Sequence, residues 1–171
     1  MKTVNPLKFM LMSSALCLTA MSSAMADSDQ LMPIQTPQSY RQECAACHIA
    51  YPPGLLPQSS WRQMMGNLED HYGTDASLDD ETVKQLTLWL ESQAGTYKRV
   101  AEAPPENRIT RSKWFVRKHR EIRPDVWRLD SVKSAANCAA CHTGAERGSF
   151  DDDNLKFPAG LDSRSRRAWN D

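Results

Sequence analysis

Cys44-Ala45-Ala46-Cys47-His48 and Cys138-Ala139-Ala140-Cys141-His142 are one pentapeptide written twice. C-x-x-C-H is the attachment string of a c-type haem. On a helical turn, two thiols three residues apart reach the two vinyl groups of one porphyrin and form thioethers. The adjacent histidine then turns its imidazole to the iron as an axial ligand. Of the five cysteines, Cys17 lies in an apolar N-terminal run, and the other four are all spent in these motifs. Two rival readings exist. Four thiolates can hold zinc, but the separation of about 90 residues between the pairs is long, and such sites are uncommon in exported chains. A redox-active C-x-x-C disulfide wants a βαβ setting that this sequence lacks.

Outside the motifs the chain has two further histidines, His71 and His119. His71 follows His48 by 23 residues, and His119 precedes His142 by 23. Two haems and two remaining histidines suggest iron bound by two imidazoles at each site; the matched spacings point to His48 with His71 and His142 with His119, while the sequence leaves open which distal histidine serves which haem. His71 lies beside an apolar stripe of Trp61, Met64, Met65, Leu68 and Tyr72, in a helix expected to start at Ser60 and end before Gly73. Phe115 and Ile122 put His119 on an apolar face, and Arg117, Lys118 and Arg120 disfavour its protonation, leaving the neutral ring that iron binds. The plain alternative for both is a core histidine bonded to a backbone carbonyl. Methionine is the other rival, because His/Met ligation is common in cytochromes c. Met64, seven residues before His71, is the residue placed to compete; packing against a porphyrin face is its simpler role.

The first 26 residues read as an export signal: Lys2 and Lys8, an apolar run from Phe9 to Met21, and Ala24-Met25-Ala26 as the cleavage site. Cys17 leaves with it. Cleavage after Ala26 leaves 145 residues with 19 basic and 21 acidic side chains, the size of one domain and too acidic for a nucleic-acid binder. A periplasmic location follows. Within 27–171 a first haem lobe is expected at about 38–102 and a second at about 106–160. Residues 104–135 carry 9 basic against 4 acidic side chains. Their cluster Arg111, Lys113, Arg117, Lys118, Arg120 and Arg123 reads either as a solvated face or as a partner for haem propionates or an acidic protein.

No strand-like alternation appears. Apolar residues recur at helical spacing, interrupted at Tyr51-Pro52-Pro53-Gly54 and Ala103-Pro104-Pro105, so the fold class is all-α, a small helical c-type cytochrome organised around two covalently bound haems. One helix is expected over Asp79 to Ala94, capped by Asp79, with Val83, Leu86, Leu90 and Ala94 on one face and Gly95 ending it. The five tryptophans read as haem and core packing, and Asp151-Asp152-Asp153 as the cap of a surface turn. The apolar core is thin for 145 residues. Porphyrins would fill it.

Cys44 through Tyr51-Pro52-Pro53-Gly54-Leu55-Leu56-Pro57, Ser60-Trp61, His71-Tyr72-Gly73, Arg108-Ile109-Thr110, Trp114-Phe115-Val116-Arg117, His119-Arg120-Glu121 and Asn137 to His142 are similar to the dihaem cytochrome c (DHC) family. The resemblance implies an exported one-electron carrier with two bis-histidine haem c groups. It implies thioethers at Cys44, Cys47, Cys138 and Cys141, with His48, His71, His119 and His142 as iron ligands. It also implies partners among other redox proteins, such as a monohaem oxygen-binding cytochrome or a membrane cytochrome b, and no small-molecule substrate. Two other classes stay open: a haem enzyme or ligand-binding haem protein with one displaceable distal ligand, and a haem subunit of a larger respiratory complex.

Overall fold

Asp79 caps the longest helix by accepting a hydrogen bond from Thr82 N–H at 3.0 Å, and Asp80 and Glu81 add negative charge at the positive end of the helix dipole. In this computed structural model, which describes residues 31–167, the chain forms five α-helices: α1 (Gln38–Cys44), α2 (Gln58–Met65), α3 (Asp80–Ser92), α4 (Lys113–Lys118) and α5 (Ser163–Arg167). Single 3₁₀ turns join them. Among the described residues there is no strand, only isolated bridges His71–Thr74 and His142–Leu155. No described helix is long and apolar enough to cross a membrane. The expected export segment 1–26 and Trp169 lie outside the described residues.

Leu86 and Leu90, one turn apart on α3, are each 1% exposed and pack with Trp61 and Met65 of α2, Tyr40 of α1, and Leu56. The Trp61 indole N–H donates to the Pro53 carbonyl at 2.7 Å, so the ring is buried with its polar atom satisfied. Arg62 and Glu91 join α2 to α3 at the surface at 2.7 Å. Helix α3 ends at Ser92 with Gln93 as its C-cap, short of the expected end at Ala94, and Gly95 follows it. The Gly95 N–H donates to Leu56 C=O at 2.9 Å, and a side chain there would collide with Val100 and the Gly54 carbonyl.

The expected helix over Ser60–Gly73 is not one helix. Its first part is α2, which begins after Pro57 rather than Ser60, because Pro57 C=O already accepts Ser60 N–H at 3.0 Å. It stops at Gly66, and a separate 3₁₀ turn covers Leu68–Asp70. The apolar stripe is real as far as Met65; His71 lies beyond it.

The second half is built differently. Ser112 caps α4, its hydroxyl accepting Phe115 N–H at 3.2 Å. Beyond α4 come 3₁₀ turns at Val126–Arg128, Cys138–Ala140, Ala145–Arg147 and Asp152–Asn154. Its buried apolar residues are spread along the chain, Phe115 in α4, Val126, Ala140 and Ala145 in these turns, and Val132 and Leu161 in the links outside them. The start of the described chain straps onto this half: Leu31 N–H donates to Gly148 C=O at 2.8 Å. Gly148 takes φ 78° there, and a side chain on it would strike Met32.

Candidate functional site

Each C-x-x-C-H string lies where a helical segment runs out. Cys44 is the last residue of α1, with Cys47 and His48 in the turn that follows. Cys138 opens a 3₁₀ turn, and His142 N–H donates back to Cys138 C=O at 2.9 Å. The bridge to Leu155, with Lys156 N–H on Cys141 C=O at 2.8 Å, pins the second string from outside.

The two remaining histidines arrive by different means. His71 sits in a tight turn, its N–H donating to Thr74 C=O at 2.9 Å and its C=O accepting from Thr74 N–H at 3.2 Å. Tyr72 (φ 55°) and Gly73 (φ 89°) are both left-handed, the pattern of a two-residue primed turn. Glycine suits that conformation; tyrosine does not, and must be held there. His119 is the C-cap of α4, and its ring stacks on Phe115 with centres 4.0 Å apart and planes at 20°.

His48 and His71 come together with ring centres 6.1 Å apart, and His119 and His142 with centres 6.2 Å apart. An imidazole nitrogen binds a first-row metal such as zinc at about 2.0–2.1 Å, and its ring centre lies roughly 1.1 Å behind it, so a metal between two rings in line sets their centres about 6.3 Å apart. Both gaps fit one iron. His48 Nδ1 lies 2.7 Å from Ile49 C=O and His119 Nδ1 lies 3.0 Å from Phe115 C=O. Those contacts put the proton on Nδ1 and leave the Nε2 lone pair for a metal. His142 Nδ1 is buried with no hydrogen-bond partner of normal geometry.

Electrostatics favour neutral rings. Burial lowers the pKa of His71, helped by the nearby His48 and Arg108. Burial also lowers that of His119, against an opposing backbone contact with Phe115. His142 is lowered by burial and then by His119. The cysteines move the other way: burial pushes the Cys44 and Cys138 thiols up to about 11, and raises Cys141 as well. All four are free. A thiol-exchange C-x-x-C needs a depressed thiol pKa, so these sites have the wrong electrostatics for it. Among the described residues no three His, Cys, Asp or Glu side chains gather as a zinc or calcium ion would need.

Other sequence readings find their places. Met64 packs on the edge of the first core and, with Gln63, Asn67 and Tyr72, lines a cavity of about 150 Å³ beside His71. Trp127 lies 6.0 Å from His119, and Trp89 packs 4.7 Å from Tyr40. Arg111, Lys113, Lys118, Arg120 and Arg123 all form surface ion pairs with carboxylates. Asp151 caps its turn, accepting Asp153 N–H at 2.8 Å. Two residues went unassigned as site neighbours in the sequence: Tyr51, whose ring lies 4.9 Å from His48, and Phe150, 5.6 Å from His142; Tyr72, read as part of the stripe beside His71, has its ring 4.9 Å from it. Tyr72 had a visible signal, a bulky residue directly before glycine and directly after the histidine.

The fold and the paired sites define a small helical c-type cytochrome built around two haems. The family model for dihaem cytochrome c matches residues 40–150, and the chain belongs to that family. It is similar to the crystal structure of DHC purified from Rhodobacter sphaeroides, with 43% identity, covering 67% of this chain and 97% of that one, TM-score 0.59. It is also similar to the diheme cytochrome type c of Shewanella baltica OS155, with 36% identity over 72% of this chain and 96% of that one, TM-score 0.64. Among curated proteins none matches. The cofactors are two haem c groups with iron, and the protein is an electron-transfer haem protein.

Proposed function

We propose that this chain is a periplasmic one-electron carrier whose two irons are each bound by two imidazoles, exported by the leader that ends at Ala26. Cys44 and Cys47 would hold the first haem through thioethers, and His48 and His71 would bind its iron. Cys138 and Cys141 would attach the second, with His142 and His119 as ligands. The first lobe spans about 38–102 and the second about 106–160. The observation that carries the reading is the pair of facing histidines, with centres 6.1 and 6.2 Å apart, each beside one C-x-x-C string.

Haem c supplies a metal that gains and loses one electron without breaking bonds. The chain's own groups do the rest. Carbonyls of Ile49 and Phe115 orient two of the four rings, burial keeps three neutral, and the two imidazoles of each site leave no position for a substrate. Imidazole pairs also favour lower potentials than His/Met ligation. The partners we propose are other redox proteins, with a monohaem oxygen-binding cytochrome or a membrane cytochrome b as the family-implied examples.

Carbon monoxide added to the reduced protein tests this. An unchanged absorption spectrum is expected. A prompt shift would overturn the closed-site reading. The cavity beside His71 favours one alternative, a displaceable ligand at the first site; carbon monoxide uptake by one haem of the two would select it.

A further inference from the structure

Two tyrosines flank the first histidine pair, and both are anchored in the other half of the chain. Tyr51 places its ring 4.9 Å from His48 with planes at 29°, and its hydroxyl donates to Ala136 C=O at 2.6 Å, two residues before Cys138. Tyr72 places its ring 4.9 Å from His71 at 63°, and its hydroxyl donates to Glu106 C=O at 3.0 Å. These bonds span 85 and 34 residues of sequence.

The backbone around Tyr72 shows that the arrangement is held rather than incidental. Tyr72 (φ 55°), Glu106 (φ 56°) and Asn107 (φ 55°) are all left-handed without being glycine. Such residues persist only where their surroundings over-determine them. Here the Arg108 guanidinium lies over the Tyr72 ring at 4.0 Å, and Asn107 Nδ2 donates to Gln63 Oε1 at 2.9 Å, tying the strained turn to the end of α2. Among the described residues the second pair has no counterpart. The aromatic neighbours of His119 and His142 are Phe115, Trp127 and Phe150, all from their own half.

We propose that Tyr51 and Tyr72 are positioning residues through which the second half of the chain sets the orientation of both imidazoles of the first site, whereas the aromatic neighbours of the second site come from its own half. The inference rests on the ligand assignment above and adds a direction to it. A ring packed against an imidazole limits its rotation, and a ring whose hydroxyl is fixed elsewhere limits it to one angle. The first site is therefore completed by a fold that it does not itself contain.

The test is low-temperature electron paramagnetic resonance (EPR) of the oxidised holoprotein carrying Tyr51→Phe, Tyr72→Phe, or both. Phenylalanine keeps the ring and removes only the long-range bond. The expected result is that the low-spin signal of the first site shifts and broadens, most in the double variant, while that of the second site stays where it is. Either single variant suffices if the double one does not accumulate. A first-site signal unmoved in every variant would overturn the proposal, as would equal shifts at both sites. Absence of bis-imidazole low-spin signals in the unmodified protein would instead refute the ligand assignment, and this inference with it.

Discussion

A histidine that binds iron needs one nitrogen free and the other held. His48 and His119 each place Nδ1 against a single carbonyl, at 2.7 and 3.0 Å, and the two histidine pairs proposed as ligands have nearly equal span. The sites differ in twist. The planes of His48 and His71 lie at 27°, and those of His119 and His142 at 74°. Near-parallel imidazoles would separate the two iron dπ orbitals that overlap their π systems and give a rhombic low-spin signal; near-perpendicular ones would leave those orbitals close in energy and give one large-g feature. EPR of the oxidised protein should therefore show both types in equal amount, and two signals of the same type would contradict the geometry. Cysteine spacing marks the proposed attachment residues in the sequence, because covalent chemistry fixes that spacing locally. Which way His71 points was not legible, since a left-handed turn at Tyr72-Gly73 and a tyrosine bond to Glu106 decide it.

Among the elements, α3 was readable nearly to the residue. Its cap and its Leu86–Leu90 face agree with the sequence, where local and tertiary preferences coincide, while it ends at Ser92 rather than at the expected Ala94. Truncating Leu86 or Leu90 to alanine should cost about 2–5 kcal/mol of unfolding free energy, measured by denaturant titration of the holoprotein. The end of α2 was misread because periodicity continued past Gly66 while the backbone did not. Helix α4 is only six residues and depends on its cap. Ser112→Ala removes the acceptor for Phe115 N–H and should cost roughly 1 kcal/mol. Because His119 is the C-cap of that helix, the same variant should also perturb the large-g signal. A normal signal together with normal stability would show that the cap contributes nothing.

For the whole molecule, the division is between a first half with a packed core and a second half of short turns. Apolar spacing revealed the first. It could not reveal the second, whose 3₁₀ turns are too short to have a period and whose buried residues are spread along the chain. Such a fold depends on what is bound inside it. The haem-free chain, made by preventing attachment, should be largely unfolded by circular dichroism; a compact apoprotein with a cooperative melt would show that the porphyrins are not structural. Acid should act on the holoprotein from the surface. Asp79, Asp125 and Asp162 are held below the ordinary carboxylate range, by the Thr82 contact, by Arg123 and by the Ser165 backbone respectively, and Glu91 by Arg62. A depressed folded-state pKa contributes stability that is present above the unfolded value, about 3.9–4.3, and is lost as pH falls through the folded one. Melting temperature should thus be flat in these groups above about pH 5 and fall below about pH 4, with high salt weakening the effect.

The ligand assignment is the claim on which every scale depends, and substituting the two distal histidines tests it most directly. His71→Met and His119→Met, each compared with the unmodified protein by low-temperature EPR, should each abolish one signal and spare the other: the rhombic one in the first variant, the large-g one in the second. Both signals surviving in either variant would show that the histidine replaced there is not an iron ligand.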